Sequence, residues 1–193
     1  MAKIVILGAG IAGHTAATHL RRKLSREHEV IVISPNRNYQ WVPSNIWVGI
    51  GRMKSKEVHF PLIPLYKKHN IGYLQAKAFS FHPEGNVVET KPHVKIEFLY
   101  GEKAGTSENI SYDYLINATG PKLAFNLTPG LNPGTHKAFS VCTYDHAEHA
   151  WQGLHDLIQK LKKSNNNLLN NIDKNYRNYL DKTKSRTVAS LTK

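Results

Sequence analysis

Lys3 to Gly13 reads KIVILGAGIAG, and the fold is decided there. The unbroken apolar run Ile4-Val5-Ile6-Leu7 suits a strand covered on both faces, as in a parallel sheet. Gly8-Ala9-Gly10-Ile11-Ala12-Gly13 follows with the G-x-G-x-x-G spacing. In that spacing Gly8 permits the tight turn, Gly10 lets backbone approach a pyrophosphate, and Gly13 lets the next helix lie close to the sheet. The helix expected from Ile11 to about Leu24 aims its N-terminus, with the backbone N–H groups of Ile11 and Ala12, at those phosphates. Its stripe is Ala16, Ala17, Leu20 and Leu24, and Arg21, Arg22 and Lys23 suit its C-terminal end. Glu29 to Ile33 (EVIVI) then completes a βαβ unit.

Beyond this second strand the carboxylate that commonly grips a ribose is missing; the chain reads Ile33-Ser34-Pro35-Asn36-Arg37. Ser34 or Asn36 can serve the hydroxyl, and Arg37 leaves open a 2′-phosphate contact. Tyr39 to Gly51 (YQWVPSNIWVGIG) lacks helical or strand periodicity. It is expected to be a loop, either a wall against a flat ligand or an apolar plug on the sheet edge. Phe60 to Leu65 extends the apolar surface, with a short helix to His69. Ile71–Lys77 reads as a third strand, and Asn86–Thr90 and Lys95–Tyr100 as antiparallel strands after a turn at Pro83 to Asn86. Gly101 to Asn109 reads as a polar loop. Tyr114 to Ala118 reads as another buried strand ending in Thr119 and Gly120, with Asp113 structural.

Composition narrows the functional classes. Of the net charge of +12, +7 falls between Lys160 and Lys193, where nine Lys/Arg face two Asp. The body is ordinary, and the tail lacks the aromatic interleaving of a single-strand binder, so no nucleic acid is expected. One cysteine excludes an internal disulfide. The N-terminal strand leaves no signal peptide, and no apolar run reaches the ~20 residues of a membrane span. The expected location is cytoplasmic, at most peripheral on the cytoplasmic face of a membrane. Asp145 to Leu161 forms an amphipathic helix with Thr143 as its N-cap. His146 and His149, with His155 beyond, read as exposed histidines, and no metal site is expected.

The glycine motif and the segment ending Ala118-Thr119-Gly120 together resemble the two-dinucleotide-binding-domain flavoproteins of the pyridine nucleotide-disulfide oxidoreductase superfamily. YQWVPSNIWVGIG followed by FPL, then ATGPKLAF and SVCTYDHAEHA, resembles the sulfide:quinone oxidoreductase family from Met1 to about Leu161. The resemblance implies FAD as cofactor, held by Gly8, Gly10, Gly13, Thr119 and Gly120 with Ser34 at the ribose. It implies sulfide and quinone as substrates and places Cys142 at the first of three redox cysteines. A thiolate is the reactive form, and His136, Lys137 and His146 are cationic candidates to favour it; read without the resemblance, Cys142 is an inert buried thiol.

Beyond Leu161 the family's second glycine unit and two further cysteines do not follow. The expected chain is therefore an α/β, Rossmann-like FAD-binding domain over residues 1–161, a parallel sheet with an antiparallel β-ribbon insertion and a C-terminal amphipathic helix. Residues 162–193 form a basic Asn/Lys-rich tail, disordered or a frayed helix. The chain reads as an N-terminal fragment, truncated or frameshifted, not competent for full turnover alone. A non-catalytic flavin- or nucleotide-binding remnant and a type II NADH:quinone oxidoreductase relative are the alternatives. Self-association or a complementing chain is expected to cover the apolar wall.

Overall fold

A computed structural model describes residues 1–131, 138–163 and 172–182. In chain order the elements are β1 (Lys3–Leu7), α1 (Ile11–Lys23), β2 (Glu29–Ile33), β3 (Asn38–Gln40), α2 (Asn45–Gly49), β4 (His59–Pro61), α3 (Leu62–Lys68) and β5 (Gly72–Leu74). There follow β6 (Ala76–His82), β7 (His93–Phe98), β8 (Ser107–Ser111), β9 (Tyr114–Asn117) and α4 (Tyr144–Lys163). Residues 172–182 are helical. The chain divides into two compact units, Met1–Trp41 with His59–Ala124, and Val42–Val58 with Phe125–Lys193.

The first unit is built on a parallel sheet of order β5-β2-β1-β9, pairing Ile4 with Val30 on one side and with Tyr114 on the other. Alternation along its central strands sends side chains to two cores. Ile4, Ile6, Val30 and Val32 pack with Ala17, Leu62 and Tyr66 of the helices. Val5, Leu7, Ile31 and Ile33 pack with Ala76, Val94, Ile96 and Phe98 of an antiparallel sheet of order β6-β7-β8. Both faces are thus covered, which is why β1 and β2 are apolar without alternation. Helix α1 ends where Arg21 donates to the carbonyls of His28 (2.8 Å) and Leu24 (3.1 Å), so the basic last turn also satisfies free carbonyls.

Four expectations change. The stretch read as one strand from Ile71 to Lys77 is divided at Gln75: β5 joins the parallel sheet and β6 the antiparallel one. The carbonyl of Leu74 and the N–H of Ala76 both bond Ser34. Asn86–Thr90 is a turn, not a strand, because the Asn86 side chain accepts from the N–H groups of Val88 (2.9 Å) and Glu89 (2.8 Å). The polar residues after Gly101 include β8, recruited by pairing with β7 (Glu97 with Ser107, Lys95 with Asn109) although its own residues favour strands weakly. β9 is half-exposed, because it is the outermost strand of the parallel sheet among the described residues. Asp113 has the structural role expected of it: Lys3 donates its N–H to Asp113 Oδ2 (2.6 Å) and accepts the Asp113 N–H at its carbonyl (2.9 Å).

The second unit contains α2, α4 and the helical segment 172–182. The expectation of an irregular Tyr39 to Gly51 loop fails here: a 3-10 turn over Val42–Ser44 leads into α2. Helix α2 forms because α4 packs on it, burying Val48 with Val58 and Ala147. An added methyl at Gly49 would meet Val141 Cγ1 at 2.8 Å. Gly51 adopts φ +73° beneath the Trp151 ring. Of the tail expected beyond Leu161, Lys162 and Lys163 belong to α4, and Tyr176 donates to the Ile50 carbonyl (2.8 Å).

Candidate dinucleotide-binding site

In the first unit the turn from β1 into α1 is closed by backbone on two glycines and open on a third. Gly8 leaves β1 at φ +94° with its N–H on the Ile33 carbonyl (2.8 Å). A Cβ there would lie 2.3 Å from the Ala118 carbonyl oxygen. A Cβ on Gly13 would lie 2.0 Å from the Gly8 carbonyl oxygen, so the helix can approach the turn this closely only with glycine. Around Gly10, the N-cap of α1, nothing lies within 4 Å of the position a Cβ would take. Ile11 and Ala12 are exposed in the first turn, where α1 has neither an acidic residue nor a side-chain cap. The first N–H groups of a helix have no intrahelical partner, and here they border open space. The cradle fits an anion.

The end of β9 brings a second opening to the same turn. Ala118 donates its N–H to the Leu7 carbonyl (2.8 Å), which places Ala118 and Thr119 beside Gly8, with Gly120 next in the chain. Thr119 is held by Asn117 Oδ1, to which both its N–H (3.3 Å) and its hydroxyl (2.9 Å) donate. Gly120 has φ +72° with nothing within 4 Å of its Cβ position. Behind β2, Ser34 is buried and its Oγ accepts the Asn36 N–H (3.2 Å), while Asn36 itself is exposed. The Tyr73 hydroxyl donates to the Asn36 carbonyl and to that of Ser34 (3.3 Å), fixing the turn. Burial pushes the Tyr73 hydroxyl up to about 12, so it stays a donor. Arg37 is exposed, and its carbonyl accepts the Leu62 N–H.

One group beside the turn is not signalled by the sequence. His14, next to Gly13, places Nδ1 3.1 Å from the Tyr66 hydroxyl, with its ring 4.6 Å from that of Tyr39. Tyr39 stacks in turn on Phe60 at 4.8 Å. Burial, and after it the positive potential of His69, holds His14 below the usual imidazole value. Burial raises Tyr66. A neutral His14 and a protonated Tyr66 therefore brace the first turns of α1. No local pattern joins residues 14, 39 and 66.

Cys142 belongs to the second unit. It is exposed, with its N–H on Ser140 Oγ (3.1 Å), which corrects the reading of a buried thiol. Thr143 caps α4 as expected, its Oγ1 accepting the His146 N–H at 3.4 Å. That threonine, together with His146, holds the Asp145 carboxyl below its ordinary value against a smaller opposing effect of burial. The three helix histidines are half-buried and not exposed: His146 stands edge-on to Phe125, His149 to Phe139, and His155 is tilted on Trp151. Among the described residues no group of three or more His, Cys, Asp or Glu is placed to hold a metal. His136 and Lys137 lie outside the described residues.

Residues 2–184 match the family described as pyridine nucleotide-disulphide oxidoreductase. The chain belongs to that family. The match continues past Leu161, where the likeness was expected to stop. FAD is the cofactor of the family, and an open glycine cradle at a helix N-terminus fits its pyrophosphate. The chain is 33% identical over 158 residues to the sulfide-quinone reductase of Aquifex aeolicus, covering 81% of this chain and 32% of that one. It is 27% identical over 178 residues to the type II NADH:quinone oxidoreductase of Haemophilus influenzae, covering 89% and 37%. Among solved structures, the sulfide:quinone oxidoreductase from Aquifex aeolicus superposes with a TM-score of 0.65 at 29% identity, covering 81% of this chain and 32% of that one. NDH2 from Plasmodium falciparum superposes at 0.61 with 20% identity, covering 83% and 30%, and shares the fold. The chain spans about a third of the length of these relatives. Among the described residues no helix is long and apolar enough to cross a membrane.

Proposed function

We propose that this chain binds FAD at the Gly8–Gly13 turn and serves a flavin-dependent quinone oxidoreductase of the sulfide:quinone type. The observation that carries the proposal is the contrast at the turn from β1 into α1: Gly8 and Gly13 are sealed by backbone while Gly10 faces open space, as does Gly120 after β9. In this reading the N–H groups of Ile11 and Ala12 hold the pyrophosphate, with the helix dipole favouring its charge. Gly10, Thr119 and Gly120 let the cofactor lie against backbone. Ser34 sets the turn that offers Asn36 to the ribose, the second of the two residues expected there. FAD supplies the two-electron acceptor when bound. Sulfide loses two electrons in the overall reaction, and the quinone takes them with two protons. Cys142 is the sulfur-handling thiol, supported by its exposure at the start of α4. The reading places the chain in the cytoplasm, peripheral to the membrane that holds the quinone.

The test is the visible spectrum of the purified chain, with and without sulfide under nitrogen. A flavin band that survives gel filtration, falls about tenfold in affinity with Gly10→Val, and bleaches with sulfide is the expected result. A chain with no flavin after reconstitution with FAD would refute the binding reading. The second reading, a flavin-binding remnant without turnover, is favoured by one observation: a sulfur bridge needs two thiols and this chain has one cysteine. It predicts a bound flavin that sulfide leaves oxidised.

We also infer that the chain self-associates or takes a complementing chain. Val42, Ile46 and Trp47 of the second unit are exposed, as is Tyr114 on the outermost strand β9 of the first. Light scattering is expected to give a mass above that of one chain, and a clean monomer at micromolar concentration would count against it.

A further inference from the structure

His14 stands at the glycine turn in surroundings that accept its cation in every respect but charge balance. Its N–H closes the first turn of α1 on the Gly10 carbonyl (2.8 Å). Helical Cβ atoms tilt toward the N-terminus, so the side chain leaves from the same turn whose free N–H groups border open space. Nδ1 meets the Tyr66 hydroxyl at 3.1 Å. A hydroxyl donates to a neutral imidazole nitrogen or, turned about its C–O bond, accepts from a protonated one, so neither state leaves this bond unmade. The His14 ring lies 4.6 Å from that of Tyr39, 5.7 Å from that of Tyr66 and 6.0 Å from that of Phe60. Tyrosine rings at such distances attract a cation.

What is missing is an opposite charge. The elements around the ring are α1 itself, α3 with Tyr66, β3 with Tyr39, β4 with Phe60 and, behind Tyr66, β5 with Tyr73. None of the five contains an Asp or Glu. Besides the three tyrosines, their titratable groups are all bases: His19, Arg21, Arg22 and Lys23 on α1, Lys67 and Lys68 on α3 with His69 at its end, and His59 on β4. The strand β2 brings one carboxylate, Glu29, at the end remote from the turn and paired with Lys3 Nζ at 3.8 Å. Burial, and after it the positive charge of His69, accordingly holds His14 below the usual imidazole value. The positive end of the α1 dipole acts in the same direction.

We propose that His14 is a positioning residue for the dinucleotide that works through charge: when the pyrophosphate settles on the N–H groups of Ile11 and Ala12, His14 takes up a proton at Nδ1 and becomes its counter-cation. The proton comes from solvent, the Tyr66 hydroxyl turns from donor to acceptor, and no other bond is made or broken. A pyrophosphate bridging two nucleosides keeps both of its negative charges at neutral and mildly acid pH. It therefore supplies what the five elements lack and leaves the imidazole as the group that titrates. This coupling rests on the reading of the turn as an FAD site and adds a proton to it. Its sign follows from linkage: a group that binds a proton more tightly in the complex makes the complex tighten as pH falls. Affinity is level above the ordinary imidazole range. It rises as pH drops between the higher value of His14 in the complex and its depressed value in the free chain, and is level again below both.

The test is equilibrium dialysis of the full chain against FAD between about pH 7.5 and about pH 5.5, with circular dichroism to show that the chain stays folded. Beside it, the His14 ring is titrated by NMR with and without FAD. The dissociation constant is expected to fall about threefold or more across that interval in the parent and to stay level in His14→Gln, which can still hydrogen-bond Tyr66 but takes no proton. In the parent, FAD is expected to raise the His14 midpoint by about half a pH unit or more, the same threefold read at the ring. If His14 served packing alone, the parent too would be level and the variant weaker by one factor at every pH. That result, an equal slope in parent and variant, or a His14 midpoint that FAD leaves in place would overturn the coupling while the FAD site stands. No retention of FAD at any pH would overturn both. Should His14→Gln fail to fold, the midpoint in the parent decides.

Discussion

In the first unit a methyl group added at Gly8 or Gly13 would strike backbone atoms, at 2.3 Å and 2.0 Å, whereas in the second unit one added at Gly49, Gly51 or Gly153 would strike the side chains of Val141, Trp151 or Phe139. The difference separates two uses of the same residue. Backbone packed on glycine defines a turn that cannot relax without moving a strand or a helix. A side chain packed on glycine is knob-in-hole packing that a rotamer change can partly relieve. In the first unit the sealed Gly8 and Gly13 also flank Gly10, whose Cβ position is empty, with the equally open Gly120 beyond the end of β9. A site is read from that coexistence of sealed and open glycines, and not from glycine content.

The comparison can be broken most severely at Gly13. Gly13→Ala places Cβ against the Gly8 carbonyl with no flexible neighbour to yield, and is expected to cost about 4 kcal/mol or more and abolish flavin retention. Chemical unfolding with flavin absorbance measures both; a loss under about 1 kcal/mol would show that the turn is softer than its geometry. Gly51→Ala is expected to cost about 1–3 kcal/mol, from the φ of +73° and the Trp151 ring. In a Trp151→Ala background the penalty should shrink to its backbone part, and an undiminished penalty in that double-mutant cycle would remove the side-chain account.

The smallest effect is a slope. His14 is held below the usual imidazole value in the folded protein, so between that depressed value and about 6.5 the unfolded chain carries a proton the folded one lacks. Stability therefore falls as pH drops through this window and is fully retained above it. His14→Gln should flatten the fall, read from unfolding midpoints between about pH 7 and pH 5. An identical slope in the variant would mean that other groups cause it.

Much of the site was legible because dinucleotide binding is written locally. Ile4 to Gly13 carries its strand, turn and helix within a dozen residues, and the spacing of Gly8, Gly10 and Gly13 states the backbone demand at each position. The strand ending in Ala118-Thr119-Gly120 was legible in the same way. Misreadings fell where pairing, not propensity, decided. The polar SENIS segment became β8 because β7 offered an edge, and the aperiodic VPSNIWVG segment became helical because α4 covered Val48.

By itself the sequence determined the βαβ start, the glycine turn, the cap of α4 by Thr143 and the lone thiol, since each depends on residues a few positions apart. Only the tertiary structure decided that His14 braces the turn through Tyr66, that Ser34 is buried with its oxygen engaged, and that the helix histidines lie against aromatic rings. Those outcomes depend on which strands pair and which faces are covered. They follow from free energies summed over long-range contacts that no local pattern encodes.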